Sequence, residues 1–136
     1  MKILVSDNAY DYRQGEYPCG SSITEALLKC GMETVEIADR HEAAWFIKNY
    51  PHEISAVVTG YDKSDIERAW KDAAEIGELI RTARGFGIKS LFVDYPSMPG
   101  ITCAYGSAAD EILWRDEAGN LCKTLAKLTG AAVKKG

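Results

Sequence analysis

The sequence predicts an α/β fold in which a five-stranded parallel sheet carries helices on both faces. Two observations support this prediction: short apolar runs rich in β-branched residues alternate with longer segments of helical period, and the strand runs lie too far apart for hairpins. A chain of 136 residues with 46% hydrophobic and 26% charged residues has the composition of an ordinary globular domain. We therefore expect residues 1–136 to form a single domain.

The first part of the chain alternates strands and helices. The apolar run K-I-L-V-S-D at residues 2–7 predicts a buried strand, and residues 9–20, with three tyrosines, are expected to form an ordered loop. Ser22 and Glu25 have the spacing of a capping box, which predicts a helix that ends at the glycine in position 31. Residues 34–38 are expected to form the second strand.

The middle of the chain contains two further helices around a central strand. A helix is expected between Asp39 and Pro51, followed by a strand at residues 54–59. The longest helix is predicted at residues 64–84, because apolar residues recur there every three or four positions until Gly85-Phe86-Gly87 interrupts them. The predicted buried side of the first of these helices consists of Ala43, Ala44, Phe46, Ile47 and Tyr50.

The last part of the chain supplies two strands and one helix. Residues 89–94 and 111–115 are expected to be strands, and two prolines and a glycine exclude regular structure just after the first of them. Asn120 is expected to cap a final helix that ends at Gly130.

The charge balance and hydropathy exclude several classes of protein. The 16 Lys+Arg and 20 Asp+Glu residues give a net charge of −4, which argues against a nucleic-acid-binding protein. No apolar run approaches the roughly 20 residues that span a bilayer, and the first residues lack the pattern of a signal peptide. We expect a cytoplasmic protein that binds neither nucleic acid nor membrane.

The cysteines and histidines do not form a metal-site pattern. The chain has four cysteines, Cys19, Cys30, Cys103 and Cys122. They lack the short paired spacing of zinc ligands, and two of them fall on helical patterns, so we expect inert, packed thiols, with a redox or metal role as the alternative. His41 and His52 flank a helix, where surface or capping roles are expected.

The strand ends are the expected location of function. A chain with this alternation commonly adopts the flavodoxin-like strand order 2-1-3-4-5, and ligands of such sheets bind beyond the carboxyl ends of the strands. The residues predicted to lie there are Asp7, Asn8, Thr59, Asp94 and Arg115.

The chemistry of these strand ends is open to several interpretations. Asp7 and Asp94 are expected to cap loops or pair with Arg115, to bind Mg²⁺, or to act as general acid and base. Tyr10 and Arg13 follow the first strand, where they could contact a planar or anionic ligand or pack on the sheet rim. The glycine patterns of nucleotide-binding loops and the motifs of nucleophilic catalysis do not occur.

Four segments carry a resemblance to a known family. They are K-I-L-V-S-D-N at 2–8, H-E-A-A-W-F-I-K-N-Y-P-H-E-I-S-A-V-V-T at 41–59, G-I-K-S-L-F-V-D at 87–94 and S-A-A-D-E-I-L-W-R-D at 107–116. Their order of apolar strands and interruptions resembles that of response-regulator receiver domains over nearly the entire chain. The resemblance implies a flavodoxin-like signalling domain, in which an aspartate that ends the third strand is phosphorylated beside Mg²⁺.

The residues at the family's phosphorylation site differ here. Thr59 stands where the family carries the acceptor aspartate, Asp94 where it carries Thr or Ser, and Arg115 is the nearest match to its lysine. Asp7 keeps its acidic identity, and Asn8 is a neutral substitute for the second acid. Because a threonine hydroxyl accepts a phosphoryl group poorly without a base, the resemblance implies a receiver-like fold whose phosphorylation site is rebuilt or lost.

Two functional hypotheses follow. The first is an atypical receiver-like module, a pseudo-receiver, which is not an enzyme and acts by contact with another protein or a second copy. Of its three tryptophans, Trp45, Trp70 and Trp114, the two on predicted helices are candidate interface anchors, and the alternative is that they belong to the core. The second is a small enzyme or ligand-binding protein with a polar pocket at the strand ends, for which Mg²⁺ is the candidate cofactor.

Overall fold

The computed structural model describes residues 2–6, 27–37, 39–60, 66–94, 109–114 and 120–130. For residues 60, 66–73, 94 and 112–114 the description covers the backbone alone. All statements below refer to these parts of the chain.

Five strands in the described part of the chain form one parallel sheet. They are β1 (Lys2–Ser6), β2 (Thr34–Glu36), β3 (Ile54–Gly60), β4 (Lys89–Asp94) and β5 (Glu111–Trp114). Their order across the sheet is β2-β1-β3-β4-β5, and all four pairings are parallel. The predicted parallel α/β architecture is confirmed, and β3 lies at its centre between β1 and β4, where both faces of the sheet are covered.

Where both ends are described, three α-helices and one 3₁₀ turn accompany the sheet. They are α1 (Arg40–Asn49), the 3₁₀ turn Pro51–Glu53, α2 (Ile66–Gly85) and α3 (Leu121–Thr129). Residues 27–29 are also helical and lie within the helix predicted at 22–31, of which residues 22–26 are outside the described part of the chain.

Local capping explains where α1 begins and where α3 ends. The Asp39 carboxylate accepts hydrogen bonds from the backbone N–H groups of His41 (2.8 Å) and Glu42 (3.1 Å), as an N-cap does. Gly130 follows α3 with φ of 73°, a left-handed conformation that glycine adopts without a steric penalty. The predicted cap at Asn120 was wrong in one respect: this residue precedes α3, but its side chain makes no capping hydrogen bond.

The apolar side chains divide into two clusters, one on each face of the sheet. We call the first the α3 cluster; it contains Ile3, Val5, Leu27, Ala56, Val58, Leu91, Val93, Leu121 and Leu125. The second, the α1–α2 cluster, contains Leu4, Ala43, Ala44, Ile47, Ile54, Val57, Leu79, Ala83 and Ile88. Alternate residues of each strand enter opposite clusters because strand side chains point alternately to the two faces. The layering of helices on both faces is therefore confirmed.

Two predictions about individual side chains were wrong. Tyr50 does not belong to the buried side of α1: it lies one residue past the last helical turn, with φ of −133°, and is 46% exposed. Cys30 and Cys122 are not inert thiols, because they form a disulfide across the α3 face. Within the described part of the chain, no helix has both the length and the apolar character needed to cross a bilayer.

Candidate functional site

The carboxyl ends of the central strands lie side by side. In the sheet register Ser6 of β1 is opposite Thr59 of β3, Thr59 is opposite Phe92 of β4, and Asp94 of β4 is opposite Trp114 of β5. This edge is where ligands bind in open parallel sheets. The structure thus brings the backbones of two predicted site residues, Thr59 and Asp94, to the ends of neighbouring strands.

Thr59 is completely buried, and its hydroxyl already has a partner. Its Oγ1 donates a hydrogen bond to the main-chain carbonyl oxygen of Ser6, 2.8 Å away. A buried hydroxyl needs such a partner, since leaving it unsatisfied would cost about 1–3 kcal/mol. The bond joins the ends of β1 and β3, so Thr59 acts first as a link between these two neighbouring strands.

Ser6 contributes a second buried hydroxyl at the same edge. The residue is completely buried, and its Oγ has no hydrogen-bond partner among the described residues. By strand alternation its side chain and that of Thr59 lie on the α1–α2 face, with Leu4 and Val57. Sequence analysis did not select Ser6, because a serine inside an apolar run gives no local signal of an unsatisfied hydroxyl.

Most of the other predicted site residues lie in parts of the chain that the structure does not describe. Asp7, Asn8, Tyr10, Arg13 and Arg115 lie outside the described residues, and of Asp94 only the backbone is described. Their proposed roles as pocket residues or Mg²⁺ ligands therefore stay predictions. Among the residues that the structure does describe, no three His, Cys, Asp or Glu side chains group closely enough to hold a metal ion.

A group of charged side chains joins the start of α1 to α2. The Arg40 guanidinium lies 3.7 Å from the Glu75 carboxylate, and the imidazole of His41 lies 3.5 Å from Glu75 and 3.9 Å from Glu78. Arg40 is buried although it is charged, whereas His41 is 64% exposed. The burial of Arg40 could have been predicted from helical spacing. Arg40 stands three, four and seven residues before Ala43, Ala44 and Ile47, which places it on the apolar side of the helix.

Asp110 organises the opposite, amino-terminal edge of the sheet. Its Oδ2 accepts a hydrogen bond from the backbone N–H of Ser90 at 2.8 Å, and its own N–H donates to the Ser90 carbonyl oxygen at 3.1 Å. Lys89 lies 4.0 Å from the same carboxylate. Because these contacts precede β5, they fix the entry of the chain into its edge strand, away from the carboxyl ends.

Two exposed aromatic side chains lie at the end of α1. Trp45 is 56% exposed and packs edge-to-face against Tyr50, with ring centroids 6.2 Å apart. The half-buried Phe46 also packs against Tyr50, with ring centroids 5.1 Å apart. The predicted interface role of Trp45 is compatible with this exposure, whereas the side chains of Trp70 and Trp114 are not described.

Comparison with known proteins gives a similarity in fold alone. No protein-family model matches the chain, and no curated protein matches it. Among solved structures the chain is similar to a response regulator receiver domain protein from Clostridium thermocellum, with 11% identity and a TM-score of 0.56 over 94% of this chain and 99% of that one. At this identity the similarity shows the fold alone: the chain has a receiver-like α/β fold.

A second solved structure is less similar. It is the solution NMR structure of a de novo designed protein with a P-loop NTPase fold, with 15% identity and a TM-score of 0.44 over 96% of this chain and 78% of that one.

Proposed function

We propose that this chain is a receiver-like signalling module that acts by protein contact and is not switched by aspartyl phosphorylation. The observation that carries the proposal is Thr59 at the carboxyl end of the central strand β3, where the receiver resemblance expects an acceptor aspartate. The proposal treats residues 1–136 as one functional unit.

The environment of Thr59 disfavours phosphoryl transfer to its oxygen. The hydroxyl proton is donated to the amide carbonyl of Ser6, which is far too weak a base to activate an alcohol nucleophile. The side chain is also completely buried, so a phosphoryl donor could not reach it unless the groups that cover it moved. Both features favour a structural role for the residue at this position.

The exposed end of α1 supports action through protein contact. Trp45 and Tyr50 are both well exposed, and a large aromatic side chain with one face free is a common anchor of protein interfaces. The proposed partner is a second copy of this chain or another protein.

Incubation of the full chain with acetyl phosphate and Mg²⁺, followed by intact-mass measurement, tests the loss of phosphorylation. We expect no stable gain of a phosphoryl group, whereas a receiver domain with an acceptor aspartate gains one under the same conditions. A stable gain by this chain, with the label mapped to any carboxylate at the strand ends, would overturn the proposal.

The Ser6 hydroxyl, which has no hydrogen-bond partner among the described residues, favours a second candidate, a small enzyme or Mg²⁺- or ligand-binding protein. A polar ligand at the carboxyl edge would satisfy this buried group. Under this alternative Mg²⁺ raises the melting temperature of the chain, and Asp7→Ala or Asp94→Ala abolishes the rise. An unchanged melting temperature over a concentration series of Mg²⁺ would count against a Mg²⁺ site.

A further inference from the structure

A disulfide joins two parts of the chain that are distant in sequence. Cys30 and Cys122 are 92 residues apart, and their Cα atoms lie 6.4 Å apart, within the usual range for a bridge. Cys30 follows the helical residues 27–29, and Cys122 is the second residue of α3. The bond therefore connects the end of the helix that precedes β2 to the start of the last helix.

The bridge lies at the border between core and solvent. The neighbouring residues Leu27, Leu121 and Leu125 are fully buried in the α3 cluster, and Cys122 packs against that cluster. Both Cys122 and Cys30 are half-buried. A half-buried disulfide is accessible to small thiols, whereas the apolar residues beneath it remain shielded from water.

The helix on one side of the bridge needs support from the rest of the molecule. With nine residues, α3 is too short to be stable on its own. It is held on the sheet by Leu121 and Leu125 on its buried face, by the half-buried Leu128, and by the covalent bond at Cys122. If the bond is lost, only the non-covalent contacts of this short amphipathic helix hold α3 on the sheet.

The other face of the sheet does not depend on the bridge. The α1–α2 cluster is built from residues of α1, α2 and the strands, and Arg40 and His41 add contacts to Glu75 there. Reduction of the bridge can therefore act on α3 while the sheet and its α1–α2 layer stay folded.

We propose that the Cys30–Cys122 disulfide is a reversible redox switch that controls how firmly α3 is docked on the sheet. In the disulfide form α3 is fixed against the helix that ends near Cys30. In the dithiol form α3 undocks readily and exposes the apolar surface around Leu121 and Leu125. This proposal depends on the fold and is independent of the function proposed above.

The switching step is a two-electron thiol–disulfide exchange with a dithiol reductant. A thiolate of the reductant attacks one sulfur of the bridge, and the S–S bond breaks to release the other cysteine as a thiolate. The second thiolate of the reductant then displaces the first cysteine, and the reductant closes to its own disulfide. Both cysteine thiolates take up protons according to their pKa values, and an oxidised thiol such as glutathione disulfide drives the reverse reaction.

Hydrogen exchange with and without dithiothreitol tests the proposal on the full chain. The labelling pulse is chosen so that β3 takes up little deuterium in the oxidised protein. After complete reduction we expect peptides from α3 to exchange faster by at least about tenfold, while β3 stays protected in the same pulse. Reoxidation with glutathione disulfide is expected to restore the slow exchange of α3.

Two variants separate this bridge from the other thiols. Cys30→Ser is expected to show fast α3 exchange with or without dithiothreitol, and the Cys19→Ser/Cys103→Ser double variant is expected to respond as the native chain does. The proposal is overturned if complete reduction leaves α3 exchange unchanged, or if β3 becomes labelled as strongly as α3, which would show a structural staple whose loss unfolds the domain. It is also overturned if both cysteines are alkylated after treatment with glutathione disulfide.

Discussion

The hydroxyl of Thr59 donates a hydrogen bond to the carbonyl oxygen of Ser6, 2.8 Å away, from the central strand β3 to its neighbour β1. The two residues are also directly paired in the parallel register of β1 and β3. The bond therefore reinforces the alignment of the strand ends around which the candidate site is built. A threonine at this position is explained by strand alignment without any need for catalysis.

Thr59→Val tests the energetic value of this link. Valine keeps the shape of the side chain but removes the hydroxyl, so we expect the free energy of unfolding to fall by about 1 kcal/mol. Urea denaturation measures the change. Thr82→Val is the matched control, because the Thr82 hydroxyl also donates to a carbonyl at 2.8 Å, that of Glu78, but on an exposed helix surface. A control loss as large as that of Thr59→Val would contradict the argument.

Asp39→Ala is expected to weaken α1. The substitution removes the carboxylate that accepts from the N–H groups of His41 and Glu42, and loss of such a cap costs about 1 kcal/mol. Thermal unfolding measures the loss. Asp39→Asn keeps a capping oxygen and should stay near the native stability, and equal losses for the two variants would show that capping is not the cause.

Asp110 makes two interactions that substitutions can separate. Asp110→Ala removes the acceptor of the Ser90 N–H at 2.8 Å, and we expect a loss of about 1–2 kcal/mol in the free energy of unfolding. Lys89→Met removes only the ion pair at 4.0 Å, whose lysine is 55% exposed, and should change stability by less than about 0.5 kcal/mol. Denaturant titration of both variants provides the comparison. A larger loss for Lys89→Met would assign the stabilisation to the ion pair instead.

Trp45→Ala tests the proposed contact surface. We expect the native chain to self-associate at high concentration and the variant to remain monomeric in sedimentation equilibrium, because truncation removes the exposed indole. Leu28→Ala is the matched control: Leu28 is 55% exposed, close to the 56% of Trp45, but it follows Leu27 of the α3 cluster on the other face of the sheet. If the Trp45→Ala variant self-associates as strongly as the native chain, Trp45 is not part of the contact surface.

Sequence patterns predicted the fold well because its determinants are local. The apolar run of β4 was predicted at 89–94 and is observed at Lys89–Asp94, and the α1 start follows from the capping side chain of Asp39. Right-handed crossovers then restrict how parallel strands can be ordered. Tyr50 was misplaced because helical spacing continues to predict burial after the backbone has left the helix.

The candidate site could be predicted only in part, since its determinants are tertiary. Thr59 was selected by its strand-end position, but its donation to Ser6 depends on the register of a strand 53 residues earlier in the chain. The pairing of Cys30 with Cys122 likewise depends on how two helices pack on one face, and no local spacing encodes it. The alternatives for Asp7 and Asp94 depend on side chains outside the described residues.

The division of the core into two clusters affects how this sequence can vary. Val57 and Val58 are consecutive, yet the first belongs to the α1–α2 cluster and the second to the α3 cluster. Energetic coupling follows contact and not chain order, so compensating changes for Val57 should be found on α1 or α2, and those for Val58 on α3. Substitutions in the α3 cluster, which packs against the disulfide, thus need no compensating changes in the α1–α2 cluster. The two faces of this small domain are therefore free to evolve separately.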